Sequence, residues 1–158
     1  MSRARPKAGN HPFLFRFYLV LFILAGLGAL CALGWYCLGI MFTEDLYPKK
    51  GTFEYYLGVD SDIRRFPLIG LVGEAEYYRT CGDGTKLPGS RVSYHTNADK
   101  QELIRGIDTY LVNNGFAKQS ENPGRSEFVY TREGNEIEVR FEDSEGTQPT
   151  RVVVRLYY

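Results

Sequence analysis

The sequence predicts a single transmembrane helix followed by an α+β domain. We expect the domain to hold an antiparallel sheet of about five strands, in the order ββαβββ, with one helix packed on one face. Three observations support this fold class. Residues 17–42 contain no charged side chain, apolar residues recur at helical spacing between positions 103 and 111, and apolar and polar residues alternate through much of 128–158.

The apolar run is the clearest of these signals. Thirteen residues between positions 17 and 42 are Leu, Ile, Val or Phe, and about 20 apolar residues are enough to cross the hydrocarbon core as a helix. This length disfavours the buried core helix of a soluble domain. A cleaved signal peptide fits poorly as well, because a cut near Gly26 or Gly28 would leave residues 29–42 apolar. We therefore predict a membrane anchor over residues 13–42.

Basic residues indicate how the anchor is oriented. Four precede the run and two follow it closely, namely Arg3, Arg5, Lys7 and Arg16 before it and Lys49 and Lys50 after it. The positive-inside rule then puts residues 1–12 in the cytoplasm as a basic tail, and the domain on the far side. The domain lacks a second cysteine and an Asn-x-Ser/Thr sequon, as expected for the periplasmic side of a bacterial inner membrane.

Net charge argues against nucleic acid as a partner. All 19 acidic residues lie after the run, together with 15 of the 19 basic ones, so this part carries 15 − 19 = −4. Nucleic-acid binding requires a clustered basic surface instead. The partners predicted from the sequence are the lipid bilayer and other transmembrane helices.

Two sets of residues define how the anchor meets its surroundings. Lipid headgroups should contact Arg16, Tyr18, Trp35 and Tyr36, since positions 18 and 35 are roughly 25 Å apart at about 1.5 Å per residue. Small residues share about 100° of the helix surface and predict contact with another helix; they are Ala25, Gly28, Ala29, Ala32 and Gly39. Residues 37–42 should protrude beyond the bilayer and, because they are apolar, be covered by some other surface.

Residues 43–73 are interpreted as a linker and packing segment, and residues 74–158 as the α+β domain. Asp60-Ser61-Asp62 resembles the start of a calcium loop, but the Gly and Glu that such a loop requires downstream are missing. Residues 74–81 and 91–96 are predicted to form a hairpin around turn residues 82–90. Pairing Cys81 with Arg91 across this turn sets Thr80 opposite Val92 and Tyr77 opposite His95.

The helix of the domain should begin at a cap formed by Thr96 or Asn97 and end at Gly115 in the left-handed conformation. Its apolar face comprises Leu103, Ile104, Ile107, Tyr110 and Leu111. Three strands complete the chain, around residues 128–131, 136–142 and 150–158. Polar residues alternate through 136–142, which indicates that the second face of the sheet is partly solvated.

No arrangement of residues indicates catalysis. Cys81 and His95 would lie more than about 10 Å apart in the predicted hairpin, whereas a nucleophile and its base need hydrogen-bond contact. We predict no catalytic residue, no bound metal and no cofactor. The interpretation favoured by the sequence is a non-catalytic accessory or assembly subunit of a larger membrane complex. A stand-alone membrane-tethered binding or sensor module is the alternative, and an enzyme with an unrecognised site comes third.

Overall fold

The computed structural model describes residues 12–82, 87–122, 126–142 and 150–158. The basic tail up to residue 11, residues 83–86 of the predicted turn at 82–90, and the loop 143–149 lie outside the described residues. The first helix, α1, spans Pro12–Phe42. Its stretch Phe15–Phe42 has a mean hydropathy of 2.4, and every residue from Phe15 to Tyr36 is exposed. It is therefore long and apolar enough to cross a membrane, and a signal sequence near the N-terminus has the same properties.

The chain forms two compact units that divide between Leu38 and Gly39. The first unit is the bulk of α1. The second contains the last turn of α1 and the α+β domain, in which three short or medium helices accompany one sheet: α2 (Phe53–Gly58), α3 (Ser61–Arg64) and α4 (Lys100–Asn113).

The sheet has seven strands, all paired antiparallel, in the order β1-β2-β3-β7-β6-β5-β4. The strands are β1 (Asp45–Leu46), β2 (Leu71–Thr80), β3 (Gly89–Thr96), β4 (Ala117–Asn122), β5 (Glu127–Arg132), β6 (Asn135–Glu142) and β7 (Thr150–Tyr157). This confirms an antiparallel α+β domain but corrects the prediction of about five strands, because β1 and β4 were missed.

Both missed strands lie at the edges of the sheet. The sequence of β4, Ala-Lys-Gln-Ser-Glu-Asn, contains no β-branched or aromatic residue, so it lacks the composition typical of strands. An edge strand does not need that composition, since it has a neighbour on one side only. The other edge strand, β1, is two residues long and comes shortly before Pro48, which has no N–H with which to extend the pairing.

The segment before β2 contributes to the core, so the prediction of one packed helix is wrong. Tyr55 in α2, Val59 after it, Ile63 in α3 and Phe66 are all buried in the same cluster as α4 and the sheet. The ring of Tyr55 meets that of Tyr77 in β2 edge to face, with centroids 4.8 Å apart. The segment Asp60-Ser61-Asp62, which resembles the start of a calcium loop, has a structural role. The carboxylate of Asp60 accepts a hydrogen bond from the N–H of Asp62 and so caps α3.

Helix α4 buries the predicted apolar face, with Leu103, Ile107 and Leu111 fully covered. It begins later than expected, because its N-cap is Asp99, whose carboxylate accepts a hydrogen bond from the N–H of Gln101 at 2.9 Å. Thr96 is instead the last residue of β3, and its hydroxyl donates to the carbonyl of Ile69.

The end of α4 follows the prediction. Gly115 has a φ of +84°, which favours glycine. Its N–H donates to the carbonyl of Val112, and the N–H of Phe116 donates to that of Leu111. These two bonds define a Schellman motif, which folds the buried Phe116 back onto the last turn.

Candidate functional site

The helices cover one face of the sheet, and the opposite face, here called the polar face, carries ionisable side chains. Side chains alternate across a strand, so the residues between buried ones such as Val92 and Val154 point to the polar face. Its members in β2, β3, β6 and β7 include Glu76, Tyr78, Arg91, Ser93, Glu138, Arg140, Arg151, Arg155 and Tyr157.

Strand register brings two arginines together on this face. Arg91 in β3 lies directly opposite Arg155 in β7, which in turn lies opposite Glu138 in β6. Like charges on directly opposite residues repel. Arg155 is compensated, because its Nη1 lies 3.5 Å from a carboxylate oxygen of Glu138.

Glu138 is the centre of this network and is only 9% exposed. Its carboxylate also accepts hydrogen bonds from Arg140 at 2.8 Å and from the hydroxyl of Tyr157 at 3.2 Å. These partners satisfy a charge that would be costly to bury alone. Burial raises the pKa of Tyr157, and the negative charge of Glu138 adds to the effect, so Tyr157 keeps its proton and remains a donor.

The charge of Arg155 is retained in the same network. Burial by itself lowers the pKa of its guanidinium, but the neighbouring Tyr157 and Glu138 more than offset this, and the pKa lies above its usual value. Arg155 therefore stays protonated and keeps its ion pair with Glu138.

Arg91 differs from the other two charged residues of this row, Arg155 and Glu138. Among the described residues it has no carboxylate partner, and its guanidinium stacks over the ring of Tyr78 at 4.7 Å from the centroid. Arg91 and Tyr78 border two open depressions. One, of about 670 Å³, lies over β3, β7 and β6, and the other, of about 780 Å³, lies along the outer edge of β2. An unpaired guanidinium can bind a carboxylate or phosphate in two-point fashion.

The described residues hold no cluster of three or more His, Cys, Asp or Glu side chains that could bind a metal. Asp62, which the faint calcium-loop signature includes, forms an ion pair with Arg132. His95 lies beside Glu74, Glu76 and Arg151 in a shallow depression of about 330 Å³.

The predicted register of the β2–β3 hairpin is wrong. Thr80 pairs with Gly89 rather than Val92, and Tyr77 pairs with Val92 rather than His95, whose partner is Val72. His95 therefore lies at the far end of the hairpin from Cys81, more than about 20 Å away at strand spacing. These two residues cannot act together as a nucleophile and its base.

The Thr80 end of β2 holds the last turn of α1. The guanidinium of Arg79 donates to the carbonyl oxygens of Ile40 and Met41 at 3.2 and 3.4 Å. The thiol of Cys81 lies 3.1 and 3.3 Å from the carbonyl oxygens of Met41 and Thr43. Both side chains thus satisfy carbonyl groups that a helix end leaves without partners.

Residues 37–42, predicted to protrude beyond the bilayer, are only partly covered by the rest of the chain. Ile40 is buried, whereas Met41 and Phe42 are largely exposed. Ile40 is therefore covered within the chain, and cover of Met41 and Phe42 stays a prediction.

The residues predicted for membrane and helix contact all lie on α1 and are exposed. An added Cβ at Gly28 or Gly39 would meet nothing within 4 Å, and the same holds for Gly34 on the opposite side. Contact of Ala25, Gly28, Ala29, Ala32 and Gly39 with another helix stays a prediction, as does contact of Arg16, Tyr18, Trp35 and Tyr36 with headgroups.

Sequence reasoning missed Arg79, Arg91 and Glu138. The contacts of each residue depend on which strands are neighbours in the sheet. Neither hydrophobic periodicity nor residue spacing contains that information. The alternation in β6 did indicate that residue 138 faces away from the core, but not that three cationic or hydroxyl groups surround it.

Comparison with known proteins does not add to this description. No protein-family model matches the sequence, and no curated protein or solved structure matches it either.

Proposed function

We propose that this chain is a non-catalytic accessory or assembly subunit of a larger membrane protein complex. The observation that supports this most is α1, an apolar stretch of 28 residues that the rest of the chain leaves exposed from Phe15 to Tyr36. Its small-residue stripe is open, since side chains added at its glycines would touch nothing. A second helix could approach closely there and gain van der Waals contact that lipid does not fully replace.

In this proposal α1 anchors the chain in the inner (cytoplasmic) membrane as a single pass. The N-terminus lies in the cytoplasm, and the α+β domain is periplasmic. The excess of basic residues before the apolar run supports this orientation.

Orientation is tested with a reporter enzyme that is active only outside the cytoplasm, fused after Tyr158. We expect activity, because the positive-inside rule places the domain beyond the membrane. The same fusion to a reporter active only in the cytoplasm is the control. Activity of the cytoplasmic fusion alone would reverse the orientation.

Helix contact is tested by photo-crosslinking in native membranes. Benzoylphenylalanine replaces Phe22, which lies about 60° around the helix from Ala25 at about 100° per residue, at the margin of the stripe. Leu27, about 160° from Ala25, is the control position. We expect a crosslinked membrane protein from position 22 and lipid adducts from position 27. Equal protein adducts, or none from either position, would count against the helix contact.

A second candidate function is a membrane-tethered binding or sensor module. The observation that favours it is Arg91, a cation without a carboxylate partner among the described residues, at the border of two depressions. Changing Arg91 to Gln should weaken the binding of a small anion at this site. Crosslinking from position 22 should not change.

A further inference from the structure

The outer edge of β2 is open over most of its length. β2 has ten residues, but β1 pairs only with Arg79 and Thr80. Within the described part of the chain, no strand lies beside residues 71–78 on that side. We propose that this edge binds an extended segment of another polypeptide as an added strand, in which apolar and basic side chains alternate.

The backbone at this edge is suited to strand addition. The N–H of Cys81 donates to the carbonyl of Glu44 at 3.1 Å, on the β1 side. Hydrogen-bonding groups alternate sides along a strand, so the N–H and C=O of Tyr77 also point outward. Continuing the register of β1 would place Pro48 opposite Tyr77, and proline has no N–H to donate to its carbonyl. The pairing of β1 ends at Leu46, and no backbone hydrogen bond joins Tyr77 to Pro48, so both groups of Tyr77 can bond to an incoming strand.

The side chains of β2 differ in character between the two faces of the sheet. Leu71 pairs with the buried Thr96 and so lies on the helix side, where Leu68 and Ala75 also pack. Glu74 and Glu76 lie on the polar face, and the side chain of Glu76 is 78% exposed despite an ion pair with Arg151 at 3.6 Å. A strand added here would present alternate residues to an apolar side and an acidic side.

The depression beside this edge has room for such a segment. It measures about 780 Å³, and its opposite wall is formed by Tyr47, Pro48, Lys49 and Lys50. Strand addition of this kind takes its affinity from main-chain hydrogen bonds and its specificity from alternate side chains. Lys49, Lys50 and Arg91 also line the depression, so charge complementarity selects Lys or Arg at the partner positions that face Glu74 and Glu76.

Features of the edge discourage indiscriminate pairing. The register shifts between Val72 and Glu76, and Gly73 in this interval has a φ of +77°. Irregularities and charges of this kind protect edge strands from aggregation.

A second copy of this chain is a poor occupant. Antiparallel pairing of β2 with β2 would put Glu74 and Glu76 near the same residues of the other copy, and like charges repel.

This inference deepens the proposed function by naming a partner surface, and it can be tested without any complex. The full chain in a neutral detergent is titrated with fluorescent peptides of about eight residues, a typical strand length. One peptide alternates Lys and Val, one alternates Glu and Val, and one is the Lys-Val peptide methylated at every backbone nitrogen. We expect the first to bind at least about tenfold more tightly than the other two, and hydrogen exchange of the Tyr77 amide to slow by a similar factor.

Charge-reversal variants sharpen the result. The double variant Glu74→Lys, Glu76→Lys should bind the Glu-Val peptide more tightly than the Lys-Val peptide. The control Glu102→Lys, on the exposed side of α4, should keep the wild-type order of affinities. The proposal is overturned if no peptide binds, if the methylated peptide binds equally well, or if exchange at Tyr77 is unaffected. Dimerisation through this edge without peptide would assign it to a second copy and also overturn the proposal. None of these outcomes involves the helix contact of α1, so the proposed function would be judged separately.

Discussion

Changing Ile107 to Asp should unfold the α+β domain while leaving α1 in the membrane. Ile107 is 1% exposed and packs between Leu103 and Leu111 of α4 and the sheet. Burying a carboxylate without a partner costs several kcal/mol, a large part of the roughly 5–15 kcal/mol that stabilises a typical domain. The measurement is thermal unfolding of the detergent-solubilised chain, followed by near-ultraviolet circular dichroism.

Val112→Asp provides the matched control for this prediction. It introduces the same carboxylate on the same helix in place of another β-branched residue, but Val112 is 53% exposed. We expect its melting temperature to stay within a few degrees of the wild type, in line with surface substitutions of about 0.5 kcal/mol. Equal melting of Ile107→Asp and Val112→Asp would remove Ile107 from the core.

Local periodicity was sufficient to predict the elements that bury one face. α4 and the strands β5, β6 and β7 all have apolar residues at the spacing their structure requires, and burial follows that spacing. α2 and α3 have no such pattern. Their buried residues, Tyr55 and Ile63, are covered because they contact the rest of the core. Only the three-dimensional structure reveals that contact.

The register error in the β2–β3 hairpin has an identifiable cause. Gly89 and Ser90 have turn composition and were assigned to the loop, but they belong to β3. A Cβ at Gly89 would lie 2.2 Å from the carbonyl oxygen of Leu156. Glycine is therefore needed there because two strands approach closely, and not because the chain turns. Because β3 begins two residues earlier than predicted and β2 ends one residue earlier, at Thr80, the partner of Tyr77 moves by three residues, from His95 to Val92.

The candidate surfaces were predictable only where they depend on one element. The small-residue stripe follows from spacing along α1 alone. In contrast, the acidic edge of β2 and the network around Glu138 require the strand order, and the contacts of Arg79 and Cys81 with residues 40–43 join positions almost 40 apart.

Bulky substitutions on the stripe should release the chain from its partner. Gly28→Leu and Ala29→Leu raise hydrophobicity, so membrane insertion should be no worse. Close approach of another helix should be lost, however, because association in lipid depends on packing. Gly34→Leu, about 180° around the helix from Ala25, is the matched control. An added side chain at Gly28 or Gly34 meets nothing within the chain itself, so a difference between them would report on a partner.

The most direct measurement is the set of proteins that co-purify with the tagged full chain in mild detergent, identified by mass spectrometry for the wild type and these three variants. We expect the wild type and Gly34→Leu to retain the same membrane proteins, and Gly28→Leu and Ala29→Leu to lose them by about tenfold or more, equivalent to about 1.4 kcal/mol of lost contact. Retention of the same partners by all four proteins, or the absence of partners from the wild type, would contradict the proposal that α1 anchors this chain in a larger complex.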